Sequence, residues 1–266
     1  MTAQLPGETW IVGCGKMAGA MVEGWRRAGI DLSNAIAIRP SGTPVDGVRT
    51  VTQLPSGSPA LVLLGIKPQK LDEVAPGLEP FVGPDTTLVS ILAGVELPSL
   101  RDRFPRAGTI IRAMPNLPVS EGKGVVALIG ERSIDASLHQ LFAPLGLVID
   151  AANDAEFDAV GTIAGAGPAY VARFVAALTK AGEVRGLSPD RAAQVALELV
   201  FGTALMARTR DESMTEIARR VASPQGTTMA GLAVIDRDQA LDRLIEETFA
   251  AADRRERELA EAARRS

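Results

Sequence analysis

The chain has few of the side chains that most enzymes use for nucleophilic, acid–base or metal chemistry. Its 266 residues contain one cysteine, Cys14, one histidine, His139, and one tyrosine, Tyr170. A single cysteine excludes an intramolecular disulfide, and a lone histidine without cysteine neighbours offers no metal-ligand spacing, so no metal is expected. The lack of disulfides suits a reducing compartment, and a cytoplasmic location is the expectation. Positive charge is not in excess either: 28 Lys and Arg face 32 Asp and Glu, for a net charge of −4. The basic residues are spread among acids, which leaves no electrostatic footprint for nucleic acid. Long apolar runs are missing. The strongest, Ala60-Leu-Val-Leu-Leu-Gly-Ile66, is far below the roughly 20 residues a bilayer span needs and reads as a buried parallel strand, so no membrane partner is expected. Residues 1–8 lack the basic start and apolar stretch of a signal peptide.

What is present is organised. Hydrophobic residues are 46% of the chain, enough for a large core, and the length suits two domains. Up to about residue 150, short apolar runs alternate with helical stretches. Strands are predicted at 9–12, 35–38, 48–51, 60–66, 86–91, 109–112, 125–129 and 147–149, with helices at 16–28, 69–78, 97–104 and 135–145. This alternation is that of a mostly parallel sheet with crossovers. Between the second and third strands the prolines and glycines of residues 40–47 replace the crossover helix with a loop. From about residue 154 the chain turns to alanine-rich helical runs with no strand signal. The expected organisation is an α/β fold: a Rossmann-type NAD(P)-binding domain over 1–151 and an all-α substrate and dimerisation domain over 152–266. Several late helices carry little polar surface, and a small bundle cannot bury them all, which predicts a homodimer sharing helices.

The first strand breaks into Gly13-Cys-Gly-Lys-Met-Ala-Gly19 and then into a helix. Gly13 permits a tight strand-to-helix turn, Gly15 leaves bare backbone for a pyrophosphate, and Ala18 or Gly19 lets the helix pack close. The free N–H groups at the helix start, from Lys16 and Met17 onward, then face the phosphates. The second strand ends Ile38-Arg-Pro-Ser41. No carboxylate stands there to accept from ribose hydroxyls; Arg39 and Ser41 offer donors that suit a 2′-phosphate, favouring NADPH, while Asp46 is the candidate if NADH is used. The fourth strand runs into Ile66-Lys67-Pro68 and the sixth into Met114-Pro115-Asn116. Both lie where the carboxyl ends of parallel strands meet the ligand crevice, and Asn116 carries a donor and an acceptor able to read a carboxamide.

In the helical half, residues 165–170 (Gly-Ala-Gly-Pro-Ala-Tyr) and 223–228 (Ser-Pro-Gln-Gly-Thr-Thr) are expected as loops that open helices, whose N–H groups bind anions. Ser-Pro followed by threonines is also ordinary capping chemistry.

Taken together and in this order, the segments at 13–18, 66–69, 112–116, 165–170 and 223–232 resemble the pyrroline-5-carboxylate reductase family, which reduces a five-membered cyclic imine to L-proline. The resemblance spans nearly the whole chain. It implies NAD(P)H as hydride donor, a small cyclic imine with a carboxylate as substrate, a helical domain intertwined with a partner's, and a decamer of dimers as the larger assembly. It assigns the cofactor border to Ile66, Lys67, Pro68, Met114, Pro115 and Asn116. It assigns the substrate carboxylate to Ser223, Gln225, Gly226 and Thr227, and the proton donor to Thr228. Three departures stand out: the family's two serines near Pro168 are Ala164 and Ala166, its second loop glycine is Gln225, and the loop at 40–47 is short. They keep two alternatives open, an NADPH-dependent reductase of a related cyclic imine and an NADP-sensing protein without turnover. A 3-hydroxy-acid reductase would want a lysine near the start of the first long helix, whereas Lys180 lies well along it.

Overall fold

The computed structural model describes residues 4–265; Met1 to Ala3 and Ser266, the outer ends of the two expected domains, lie outside the described residues. An eight-stranded sheet runs in the order β3-β2-β1-β4-β5-β6-β7-β8, with β1 at Thr9–Val12, β2 at Ala35–Ile38, β3 at Arg49–Val51 and β4 at Leu61–Leu64. The remaining strands are β5 at Thr87–Ser90, β6 at Thr109–Pro115, β7 at Gly124–Gly130 and β8 at Gly146–Asp150. Every pairing is parallel except β6 with β7. The short link between β6 and β7 explains the exception, because a parallel return needs a crossover and an antiparallel one does not.

The central strands are buried on both faces, which is why they read as unbroken apolar runs. On one face Ile11, Leu61, Leu63 and Val89 pack against Met21, Val22 and Trp25 of α1 (Lys16–Arg27) and Leu138, Leu141 and Phe142 of α4 (Ala136–Phe142). On the other, Trp10, Val62, Leu64 and Leu88 meet Leu71, Ala75 and Leu78 of α2 (Leu71–Leu78) and Leu100 of α3 (Leu97–Arg103). No helix covers residues 40–47, as their prolines and glycines dictate.

The described chain divides into two compact units, one reaching Gly165 and the other comprising Ala166–Glu258. The helical half holds α5 (Asp154–Val184), α6 (Pro189–Arg210), α7 (Met214–Val221), α8 (Thr227–Ile235) and α9 (Ala240–Arg265). One expectation needs correction. Residues 165–170 are not a loop opening a helix; they lie inside α5, which runs for 31 residues through Pro168. The helix survives because the bond that Pro168 cannot donate is replaced from elsewhere, as described below. The late helices carry apolar surface that the chain does not bury by itself, the surface on which the expectation of a homodimer rests: Phe174 is 53% exposed, Leu197 59% and Phe201 62%.

Candidate active site

Gly13 has φ +83°, and a Cβ there would stand 2.8 Å from the backbone nitrogen of Ile66. Only glycine fits both the left-handed conformation and the contact. The turn is pinned on both sides, by Gly13 N–H donating to Ile38 O at 3.0 Å and Gly65 N–H donating to Val12 O at 2.8 Å. Gly65 meets the Gly13 carbonyl so closely that any side chain would overlap it, and its Cβ would stand 3.0 Å from that of Ala18. Ala18 is therefore the residue that lets α1 approach the sheet, whereas Gly19 faces open space.

Gly15 is the N-cap of α1; no side chain caps it, and a Cβ there would meet nothing within 4 Å. Empty space above an uncapped helix start is what a pyrophosphate requires, so the turn fits a dinucleotide. Lys16 is exposed and Met17 half-buried beside it. Cys14, between the two glycines, is buried; burial pushes its thiol pKa up, with the nearby Arg39 guanidinium acting in the opposite direction.

At the end of β2, Arg39 is held by Nη1 donating to Thr43 O at 2.9 Å, and Ser41 Oγ lies 3.0 Å from Thr43 Oγ1. Asp46, the alternative ribose partner, is engaged by Arg26 of α1. At the end of β4, Ile66 packs over Gly13, and exposed Lys67 caps a short turn that Pro68 opens. The strand order brings the ends of β2, β1 and β4 side by side, with β5 and then β6 beyond.

Met114 at the end of β6 is half-buried beside α5: a Cβ on Gly161 would stand 3.2 Å from Met114 Cγ. Pro115 is buried opposite Val126. Asn116 is 5% exposed, and both ends of its amide bond within the chain: Nδ2 donates to Ala164 O at 3.0 Å and Oδ1 accepts from Val125 N–H at 2.8 Å. Two residues that carry this architecture were given no role by the sequence reading, although Arg112 opens the 112–116 segment on which the resemblance rests. Arg112 of β6 is 4% exposed, its guanidinium 4.3 Å from the Phe157 ring centroid and bonded to Asp154 at 3.1 Å. Gly24 admits the Val119 carbonyl to the surface of α1 where a Cβ would collide with it. Neither sits in a recognisable turn, so only the apolar period around Gly24 offered a signal.

In the helical unit, Gly226 N–H donates to Ser223 O at 3.0 Å and Gly226 is the N-cap of α8, with no side chain capping it. Ser223, Gln225, Thr227 and Thr228 are exposed around this start, so their hydroxyls and the first N–H groups form an anion-ready cluster rather than a closed cap. Gln225 holds φ +59°, a left-handed conformation that favours glycine. Tyr170 packs edge-on against Phe249 with centroids 5.3 Å apart.

A family model described as pyrroline-5-carboxylate reductase dimerisation matches residues 154–259. The chain is 31% identical over 263 residues to the pyrroline-5-carboxylate reductase of Pseudomonas aeruginosa, covering 94% of this chain and 96% of that one. It belongs to the pyrroline-5-carboxylate reductase family. Similarity to the pea (Pisum sativum) reductase is of the same order, 33% identity over 261 residues and 94% of each chain. The solved pyrroline-5-carboxylate reductase of Coxiella burnetii superimposes with a TM-score of 0.86 at 26% identity, covering 96% of this chain and 99% of that one. Among the described residues, no group of three or more His, Cys, Asp or Glu side chains is placed to hold a metal, and no helix is long and apolar enough to cross a membrane.

Proposed function

We propose that the chain reduces 1-pyrroline-5-carboxylate to L-proline with NAD(P)H. The observation that carries this reading is the near full-length match to pyrroline-5-carboxylate reductases, joined to a glycine turn whose open space suits a dinucleotide. Residues 1–151 serve as the dinucleotide domain and 152–266 as the substrate and dimerisation domain. Gly13, Gly15, Lys16 and Met17 hold the pyrophosphate, and Ile66, Lys67, Pro68, Met114 and Pro115 border the nicotinamide, with Asn116 behind them. Arg39 and Ser41 favour NADPH. The pairing of Asp46 with Arg26 supports that choice, because the carboxylate considered for the ribose hydroxyls already has a partner.

The reduced nicotinamide, when bound, supplies the hydride for the imine carbon. The backbone N–H groups at Gly226 to Thr228 hold the substrate carboxylate, aided by Ser223, Gln225 and Thr227. Positioning is the main device, since it turns an encounter into a unimolecular step. Thr228 hydrogen-bonds the ring nitrogen and relays the proton that completes the amine; an aliphatic hydroxyl is too weak an acid to supply it unaided. Binding of the iminium form removes the need for a strong protein acid.

The exposed apolar helices of the C-terminal half and the dimerisation-family match support a homo-oligomer in which a second copy covers them. A decamer of dimers is the larger assembly proposed, and the cytoplasm its location. The deciding experiment follows NADPH and NADH absorbance with pyrroline-5-carboxylate and, in parallel, its six-membered analogue. Rapid oxidation with the five-membered imine supports the proposal. Turnover of the larger ring alone identifies a related imine reductase, and binding without turnover identifies a sensor.

A further inference from the structure

Helix α5 contains a proline where an unbroken hydrogen-bond ladder needs a donor. In an α-helix the N–H of residue 168 would serve the carbonyl of residue 164, and proline has no N–H to give. Ala164 is buried, at 8% exposure, so its carbonyl cannot turn to water, and a buried acceptor left without a partner is costly. Its partner is the Asn116 side chain, with Nδ2 to O at 3.0 Å.

The rest of Asn116 is equally committed. Oδ1 accepts from Val125 N–H at 2.8 Å, the backbone N–H donates to Val125 O at 3.2 Å, and the backbone carbonyl accepts from Val119 N–H at 3.1 Å. The carbonyl of Ala164 and the N–H of Val125 fix which end of the amide faces which way. Room for the amide exists because residue 124 is glycine; a Cβ there would stand 2.9 Å from Asn116 Oδ1. Aspartate, of equal size, could keep the contact with Val125 and would lose the donor.

We propose that Asn116 is a positioning residue for the reaction: its amide supplies the hydrogen bond that Pro168 denies to Ala164 and ties the Met114-Pro115 strand end to the 154–164 stretch of α5. The catalytic half of this statement rests on the reading above, in which Met114 and Pro115 border the nicotinamide. Displacing that border by about 1 Å is enough to slow a positioned reaction by one to two orders of magnitude.

The test is a compensating pair, Asn116→Asp and Pro168→Ala, singly and together, assayed with NADPH and pyrroline-5-carboxylate at a pH where the new carboxylate is ionised. Asn116→Asp should lower kcat by about tenfold or more while the NADPH dissociation constant stays within about threefold, because the chemistry is misaligned and the phosphate turn is untouched. Pro168→Ala alone should stay within about twofold, and adding it to Asn116→Asp should recover most of kcat, since the new N–H serves Ala164. If Asn116→Asp does not fold, recovery of a folded chain by the second substitution reads the same coupling.

An arm independent of turnover uses the folded parent chain: the Asn116 side-chain amide should exchange with solvent slowly, and at least about tenfold faster in Pro168→Ala, where its acceptor is contested. A double variant no better than Asn116→Asp, or amide exchange unchanged by Pro168→Ala, overturns the inference. So does a tenfold weaker NADPH affinity with kcat preserved, which would make Asn116 a direct reader of the dinucleotide. Failure of the parent chain to reduce the imine would count against the functional reading, while the exchange arm would still decide whether Asn116 serves the proline gap.

Discussion

The carbonyl oxygen of Gly13 occupies the space that a side chain on Gly65 would need. Two glycines just past the ends of neighbouring parallel strands thus fix each other, one by its left-handed φ and the other by the approach it allows. Gly65→Ala should force the turn off the β4 end. Overpacking of this kind costs about 1–3 kcal/mol, and the strain falls on the segment that meets the pyrophosphate. The expected outcome in a fluorescence titration is about a tenfold rise in the NADPH dissociation constant, that being the equivalent of about 1.4 kcal/mol. Unchanged affinity would show that the turn accommodates a methyl group.

Thr228→Ala should reduce kcat/KM for pyrroline-5-carboxylate by about a hundredfold, the lower range for a positioned proton-transfer group. NADPH affinity should not change, because the phosphate turn is built from other residues. Kinetics equal to the parent enzyme would remove Thr228 from the mechanism.

Arg39→Ala should lower the preference for NADPH over NADH by about tenfold or more, the expected loss for a hydrogen bond to a charged group. Comparing kcat/KM for the two donors is the measurement. A ratio left untouched would mean that the guanidinium, held by Thr43, does not read the 2′-phosphate.

Asp135 caps α4, accepting from Leu138 N–H at 2.9 Å and from Ser137 Oγ at 2.6 Å. The Ser137 hydroxyl, and then the Leu138 N–H, hold its carboxyl below the usual aspartate range. A carboxyl whose folded pKa is depressed contributes stability above its unfolded pKa and loses it as pH falls through the folded value. Asp135→Ala should therefore cost about 1 kcal/mol at neutral pH. The difference from the parent should shrink below the ordinary aspartate range in thermal unfolding; a constant difference across acid pH would show that the charge is not involved.

Phe157 is 1% exposed and covers the Arg112 guanidinium, whereas the Asp154 side chain that pairs with Arg112 is 68% exposed. The ring should therefore matter more than the ion pair. Phe157→Ala should destabilise the N-terminal unit by about 3–5 kcal/mol, and Asp154→Asn by no more than about 1 kcal/mol. Chemical denaturation of the two variants side by side decides the order.

Much of the fold was legible because parallel strands buried on both faces write themselves as short apolar runs. The eight runs fall on β1 to β8 with ends shifted by a few residues, and β6 extends furthest past its expected end because Pro115 still pairs with Val126 through the antiparallel edge. The glycine turn was legible for a similar reason: its chemistry is local. Residues 165–170 misled because Gly-x-Gly-Pro is a breaker by every local rule. What overrides that rule is Asn116, 48 residues upstream of Ala164, and no local pattern can report a partner so distant. The role of Arg112 was hidden likewise, its cation made tolerable by Phe157, Asp154 and Asp158 on a helix that begins more than 40 positions later.

The lone thiol of Cys14 sits inside the dinucleotide turn, buried and less acidic than a free cysteine. Because the chain has no other, an alkylating reagent has a single address. It can react only when the turn opens, at a rate set by the population of open molecules. Labelling kinetics therefore turn this residue into a built-in gauge of local breathing, readable by intact-mass measurement on the unmodified protein, with and without bound dinucleotide.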